Sequence, residues 1–75
     1  MNSFNVIKEL NVLTPAIVAN LFDAALIHNW ILAGNAKRLL DYYYEQPDKK
    51  QMIQDYYKSQ TFTPVQQKIV GKYGQ

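Results

Sequence analysis

The sequence predicts an all-α fold, a small bundle of four to five short helices around a central buried helix over about 15–33. Three observations carry this. Apolar residues recur at three- and four-residue spacing through much of the chain, the period of a helix with a buried face. Two Thr-Pro pairs, Thr14-Pro15 and Thr63-Pro64, place a capping hydroxyl before a proline preset for the first helical turn. No stretch alternates apolar and polar residues between hairpin turns, and no Asn-Gly or Asp-Gly pair occurs, so strands are not expected.

The elements follow in order. Ser3 caps a short first helix with Phe4, Ile7 and Leu10 on one side. Thr14-Pro15 opens the central helix, and Gly34 closes it as a left-handed C-cap. Its apolar residues Ile17, Val18, Leu21, Phe22, Ala25, Leu26, Ile31 and Leu32 cover more than one face, as in a helix buried on several sides. Asn35 then caps a short helix over about 36–44 with Leu39, Leu40 and Tyr43 inward. Gln46-Pro47 stops that helix, because a residue before proline avoids the helical region. Asp48 caps the next helix, about 49–59, whose stripe is Met52, Ile53, Tyr56 and Tyr57. Thr63 and Gln66 have the spacing of a capping box for a last helix, about 64–70, ending at Gly71. Lys72 to Gln75 reads as a frayed tail or a lead into further chain.

A chain of 75 residues reads as one small domain, possibly a module of a larger assembly. Such a domain buries only about 60% of the surface its unfolded chain exposes, so it usually relies on further support. There is no cysteine, which excludes disulfides, and one histidine alone builds no zinc site. Oligomerisation or packing on a partner remains. The apolar run from Ala16 to Ala33 is interrupted by Asn20, Asp23, His28 and Asn29 and does not read as a membrane span. No secretory signal is recognised, and a cytoplasmic location is expected.

Catalytic chemistry finds little footing. His28 reads as a structural histidine, and Asp23, five residues earlier, lies about 140° away around a helix. There is no phosphate-cradling glycine loop and no nucleophile motif. Lys37 and Asp41, four apart, suggest a surface ion pair rather than an acid–base site. No catalytic, cofactor-binding or metal-binding residue is assigned, and no small-molecule substrate is expected.

The net charge of +2 comes from eight basic and six acidic residues spread along the chain. Only Arg38 supplies a guanidinium, the group suited to bidentate phosphate contacts. The aromatics say more. Tyr42, Tyr43 and Tyr44 project about 100° apart on a helix, so they cannot share one core face. Tyr56-Tyr57 repeat the pattern. Three readings stand: core packing with surface aromatics, a protein interface, or base stacking beside Lys37 and Arg38. Trp30 reads either as core or as a partner's hot-spot anchor.

The segment Asn29 to Tyr44 resembles a stretch near the N-terminus of portal proteins from tailed phages of Gram-positive bacteria. There, an aromatic pair, a spacer and Gly-Asp or Gly-Asn precede a helix bearing leucine and a second aromatic pair. Gly34-Asn35 match the turn, Leu39 and Leu40 the leucine, and Tyr42-Tyr43 the second pair. The first pair falls on Ile31-Leu32, with Trp30 one residue early. The resemblance implies ring-shaped assembly at a capsid vertex, and a host-cytoplasm or virion location.

The expected function is a non-enzymatic protein-interaction or assembly module. Its contact residues would be Trp30, Lys37, Arg38, Tyr42, Tyr44 and Tyr57, and its partner a protein or a second copy. Alternatives are a helical nucleic-acid binder using Lys37, Arg38, Lys49 and Lys50 on one face, or a small phage inhibitor of a host protein.

Overall fold

A computed structural model describes residues 9–27 and 29–74. The fold is all-α. Among the described residues four α-helices follow one another: α1 Pro15–Ala25, α2 Trp30–Tyr44, α3 Pro47–Ser59 and α4 Pro64–Val70. A 3-10 turn, Gly71–Gly74, closes the chain. The radius of gyration is 11.5 Å, against about 11 Å for a compact chain of this length. Of the helix expected at Ser3, only Glu9 and Leu10 are described, and both are helical. His28 lies outside the described residues.

The central helix does not run over 15–33. It ends at Ala25, and the segment from Trp30 belongs to a second helix that continues through Gly34 to Tyr44. The break is made by Asn29, whose carboxamide oxygen accepts from the backbone N–H of Ile31 (3.1 Å) and Leu32 (3.3 Å). Asparagine favours a cap over a helix interior because its side chain competes for backbone donors. Gly34 is therefore no C-cap, no glycine has a positive φ, and Asn35 is an interior residue of α2. The break lets two apolar stripes face each other. Val18, Leu21, Phe22 and Ala25 of α1 meet Ala36, Leu39, Leu40 and Tyr43 of α2, and this pair packs more extensively than any other. One straight helix would leave both stripes without a partner.

The other helix starts follow their punctuation. Thr14 Oγ1 accepts from the Ile17 N–H at 3.2 Å. The capping box at Thr63 is complete, with Gln66 returning to the Thr63 N–H. Helix α3 begins at Pro47 rather than after Asp48, since proline occupies the first position, where an N–H has no intrahelical acceptor.

Over Lys72 to Gly74, the described part of the expected tail, the chain is not frayed. Tyr73 is fully buried, with its ring 5.7 Å from that of Phe22 and 5.6 Å from that of Tyr44. Its hydroxyl donates to Asp41 Oδ1 at 2.7 Å, and Lys72 pairs with the same oxygen at 2.6 Å. Asp41 thus serves the C-terminal turn instead of the expected Lys37. Gly74 must lie close to α3, because a Cβ there would collide with Cδ1 and Cε1 of Tyr57. At the other end, Asn11 adopts φ 52°, a left-handed conformation that asparagine tolerates after a helix. Gln46 Nε2 donates to Asn11 Oδ1 (3.0 Å) and Tyr43 to the Val12 carbonyl (2.9 Å), tying this segment to α2 and its C-terminal end.

Burial pushes the phenols of Tyr73, Tyr43 and Tyr56 above their ordinary value, and the Asp41 carboxylate adds to the shift at Tyr73. The folded state favours the neutral phenol. This contribution is complete below the unfolded value, near 10, and is lost as pH climbs above it. The urea midpoint should be flat to about pH 9 and fall beyond about pH 10. Tyr73→Phe should make that fall shallower; an unchanged slope would remove Tyr73 from the account.

Candidate protein-interaction surface

Helix α2 has two faces. Ala36, Leu39, Leu40 and Tyr43 point into the core. At 100° per residue the opposite side carries Trp30, Gly34, Arg38, Asp41 and Glu45, flanked on one side by Ile31 and Tyr42 and on the other by Lys37 and Tyr44. Trp30 is 81% exposed and Ile31 59% exposed, and Ile27, in the turn before the helix, is 49% exposed. Scattered exposed apolar residues are ordinary; three within a five-residue span, one of them tryptophan, are not. Trp30, Ile31, Gly34, Asn35 and Arg38 line a shallow concavity of about 180 Å³.

The exposure of Trp30 removes its reading as core. Of the six contact residues expected from sequence, Trp30, Arg38 and Tyr42 lie on this side of α2. Lys37 and Tyr44 lie on the far flank. The Tyr44 hydroxyl accepts from Gln54 Nε2 at 3.4 Å, and Lys50 sits 5.0 Å from its ring centre. Tyr57, on α3, packs against Phe62 with ring centres 5.0 Å apart. The tyrosines that looked too many for one core are largely internal. Phe22 alone meets the rings of Tyr56 (4.8 Å), Phe62 (5.9 Å) and Tyr73. Ile27, Ile31, Gly34 and Asn35 were missed because Gly34 was read as a stop. Asn29 as a cap is the signal that places Ile31, Gly34 and Asn35 on one helix, with Ile27 in the turn before it.

Gly34 is informative here. A Cβ at this position meets nothing within 4 Å, and its φ is not positive, so the folded chain makes no demand for glycine. In a helix interior glycine is about 1 kcal/mol less favourable than alanine. Gly34→Ala should therefore raise the stability of the monomer by about 0.5–1 kcal/mol, read as a higher urea midpoint at low protein concentration. A lower midpoint would mean that the site is crowded.

The electrostatics of this surface are simple. Arg38 is exposed, and among the described residues no carboxylate forms an ion pair with it. Lys37 and Arg38 project about 100° apart, and Lys49 is paired with Asp48 at 3.0 Å.

A second concavity, larger and open, lies between the start of α1 and α3. It spans about 540 Å³ and is lined by Pro15, Asp48, Met52, Asp55, Tyr56 and Ser59. The Lys49 hydrogen bond holds the Asp48 carboxyl below the usual carboxylate range. Asp55 accepts from the neutral amide of Gln51 at 2.7 Å and has no cationic partner among the described residues.

Among the described residues no group of three or more His, Cys, Asp or Glu could hold a metal ion. None of the described helices is long and apolar enough to cross a membrane. Compared with protein-family models, curated proteins and solved structures, the chain matches none.

Proposed function

We propose that this chain is a non-enzymatic protein-interaction or assembly module whose contact surface is the outward face of α2 around Trp30. The observation that carries the reading is the 81% exposure of Trp30 beside exposed Ile31 and Ile27. Tryptophan gives a large rigid contact area and often dominates interface energy when a partner desolvates it. Ile31 would widen the apolar contact, and Gly34 would let a partner approach the helix backbone. Arg38 and Tyr42 would set orientation at the rim, where charge governs encounter and register more than affinity. The resemblance of residues 29–44 to phage portal proteins makes virion assembly the setting proposed for such a module.

A photo-crosslinking side chain at position 35, beside Trp30 in the same concavity, tests this in cells that produce the protein. Position 58, an exposed lysine on α3, serves as the control. Adducts should form from position 35, and adding Trp30→Ala should abolish them. Equal yields from both positions, or none from position 35, would overturn the reading. Adducts to nucleic acid would transfer it to a different class of partner.

A further inference from the structure

We infer that the partner of the Trp30 face is the Met52 groove of a second copy of this chain, docked head to tail. The inference rests on the reading of that face as a docking surface and extends it by naming the occupant. Three features of the two surfaces match.

Charge is complementary. Arg38 lies at the edge of the first surface with no carboxylate partner among the described residues, and Asp55 lines the second with no cationic one. Guanidinium and carboxylate form bidentate pairs of defined geometry, which would fix the register of the two copies. Asp48, also in the groove, is compensated by Lys49, so Asp55 is the carboxylate left for the guanidinium.

Apolar character is also complementary. The groove offers the Met52 thioether, the Tyr56 ring and the Pro15 ring to an indole and an isoleucine side chain. Thioethers adapt to irregular shapes and make favourable contacts with aromatic rings. The groove, at about 540 Å³, is the receiving surface, and the exposed Trp30 ring is the inserting group.

Topology decides the form of the assembly. The two surfaces share no lining residue, so the contact is heterologous, and every docked pair keeps one surface of each kind open. Such contacts do not stop at a dimer; they grow into a ring if the rotation closes, or into an open chain if it does not.

The test uses the purified full chain in size-exclusion chromatography with light scattering, over a concentration series up to about 1 mM. The wild type should form species larger than a dimer, and added salt should weaken them. Trp30→Ala removes the inserting group and Asp55→Lys reverses the groove. Each alone should lower association at least tenfold while far-UV circular dichroism is unchanged. Mixed in equal amounts, the two variants should form a heterodimer that grows no further, because only one intact pair of surfaces remains. Asp55→Lys combined with Arg38→Glu in one chain should restore assembly.

A wild type that stays monomeric throughout overturns the inference. If position 35 still gives adducts with another protein, the docking reading survives that failure; if it gives none, both fall. Association lost in Trp30→Ala but kept in Asp55→Lys also overturns it, since the indole then docks elsewhere.

Discussion

Replacing Tyr73 by alanine should destabilise the protein by about 3–5 kcal/mol, the range for removing a fully buried large aromatic ring. A domain of this size has about 4–11 kcal/mol in total, so the loss is a large share of what holds it folded. The size of the effect comes from where the ring sits. Tyr73 is in the last turn, yet it contacts the rings of Phe22 in α1 and Tyr44 in α2, and its hydroxyl bonds Asp41 of α2. Removing it leaves a void among elements far apart in sequence, and such voids collapse only partially. Tyr73→Phe keeps the ring and loses only the hydroxyl contact, so it should cost about 1 kcal/mol, near the usual net value of one hydrogen bond. Urea unfolding at fixed m-value measures both. If the alanine variant unfolds within 1 kcal/mol of the wild type, the C-terminal turn does not hold the core together.

Trp30→Ala should do the opposite: leave folding stability within about 0.5 kcal/mol and weaken association by about 30-fold or more. Both halves follow from the 81% exposure of the side chain. An exposed ring contributes little burial to the monomer, and alanine is the better helix former at the start of α2. In a complex the same ring would be desolvated at the centre of the contact, where truncation commonly costs 2 kcal/mol or more. Urea midpoints at low concentration report the first half, and association measured by light scattering the second. A variant that unfolds readily would place Trp30 in the core after all. One that associates as well as the wild type would leave the α2 face without a role.

The contrast between these two aromatics shows what a linear reading can reach. Both were visible as large side chains near a glycine: Trp30 four before Gly34, and Tyr73 between Gly71 and Gly74. Periodicity put Trp30 within an apolar helix and Tyr73 in a tail. The structure exposes Trp30, for which core and anchor readings both stood, and buries Tyr73, because burial depends on which segments return to cover a side chain. The same reasoning explains the tyrosine clusters. Their spacing shows that they cannot share one helix face, but Tyr44 and Tyr57 are covered in part by the C-terminal turn and by Phe62, which local pattern does not bring near them.

Local chemistry alone determined the all-α class, the Thr-Pro starts of α1 and α4, the capping box at Thr63, and the inward stripes Val18-Leu21-Phe22 and Leu39-Leu40-Tyr43. Caps and periodicity involve residues within a few positions of one another, so the chain carries them without reference to its fold. The division of 15–44 into two helices, the burial of Tyr73, the pairing of Asp41 with Lys72, and the outward face of Trp30, Gly34 and Arg38 were settled by tertiary structure. Gly34 and Asn29 were each acceptable at more than one helix position. Asn29 became the cap because the break there lets α1 and α2 bury their stripes against each other, a gain shared by many side chains and legible in no single one.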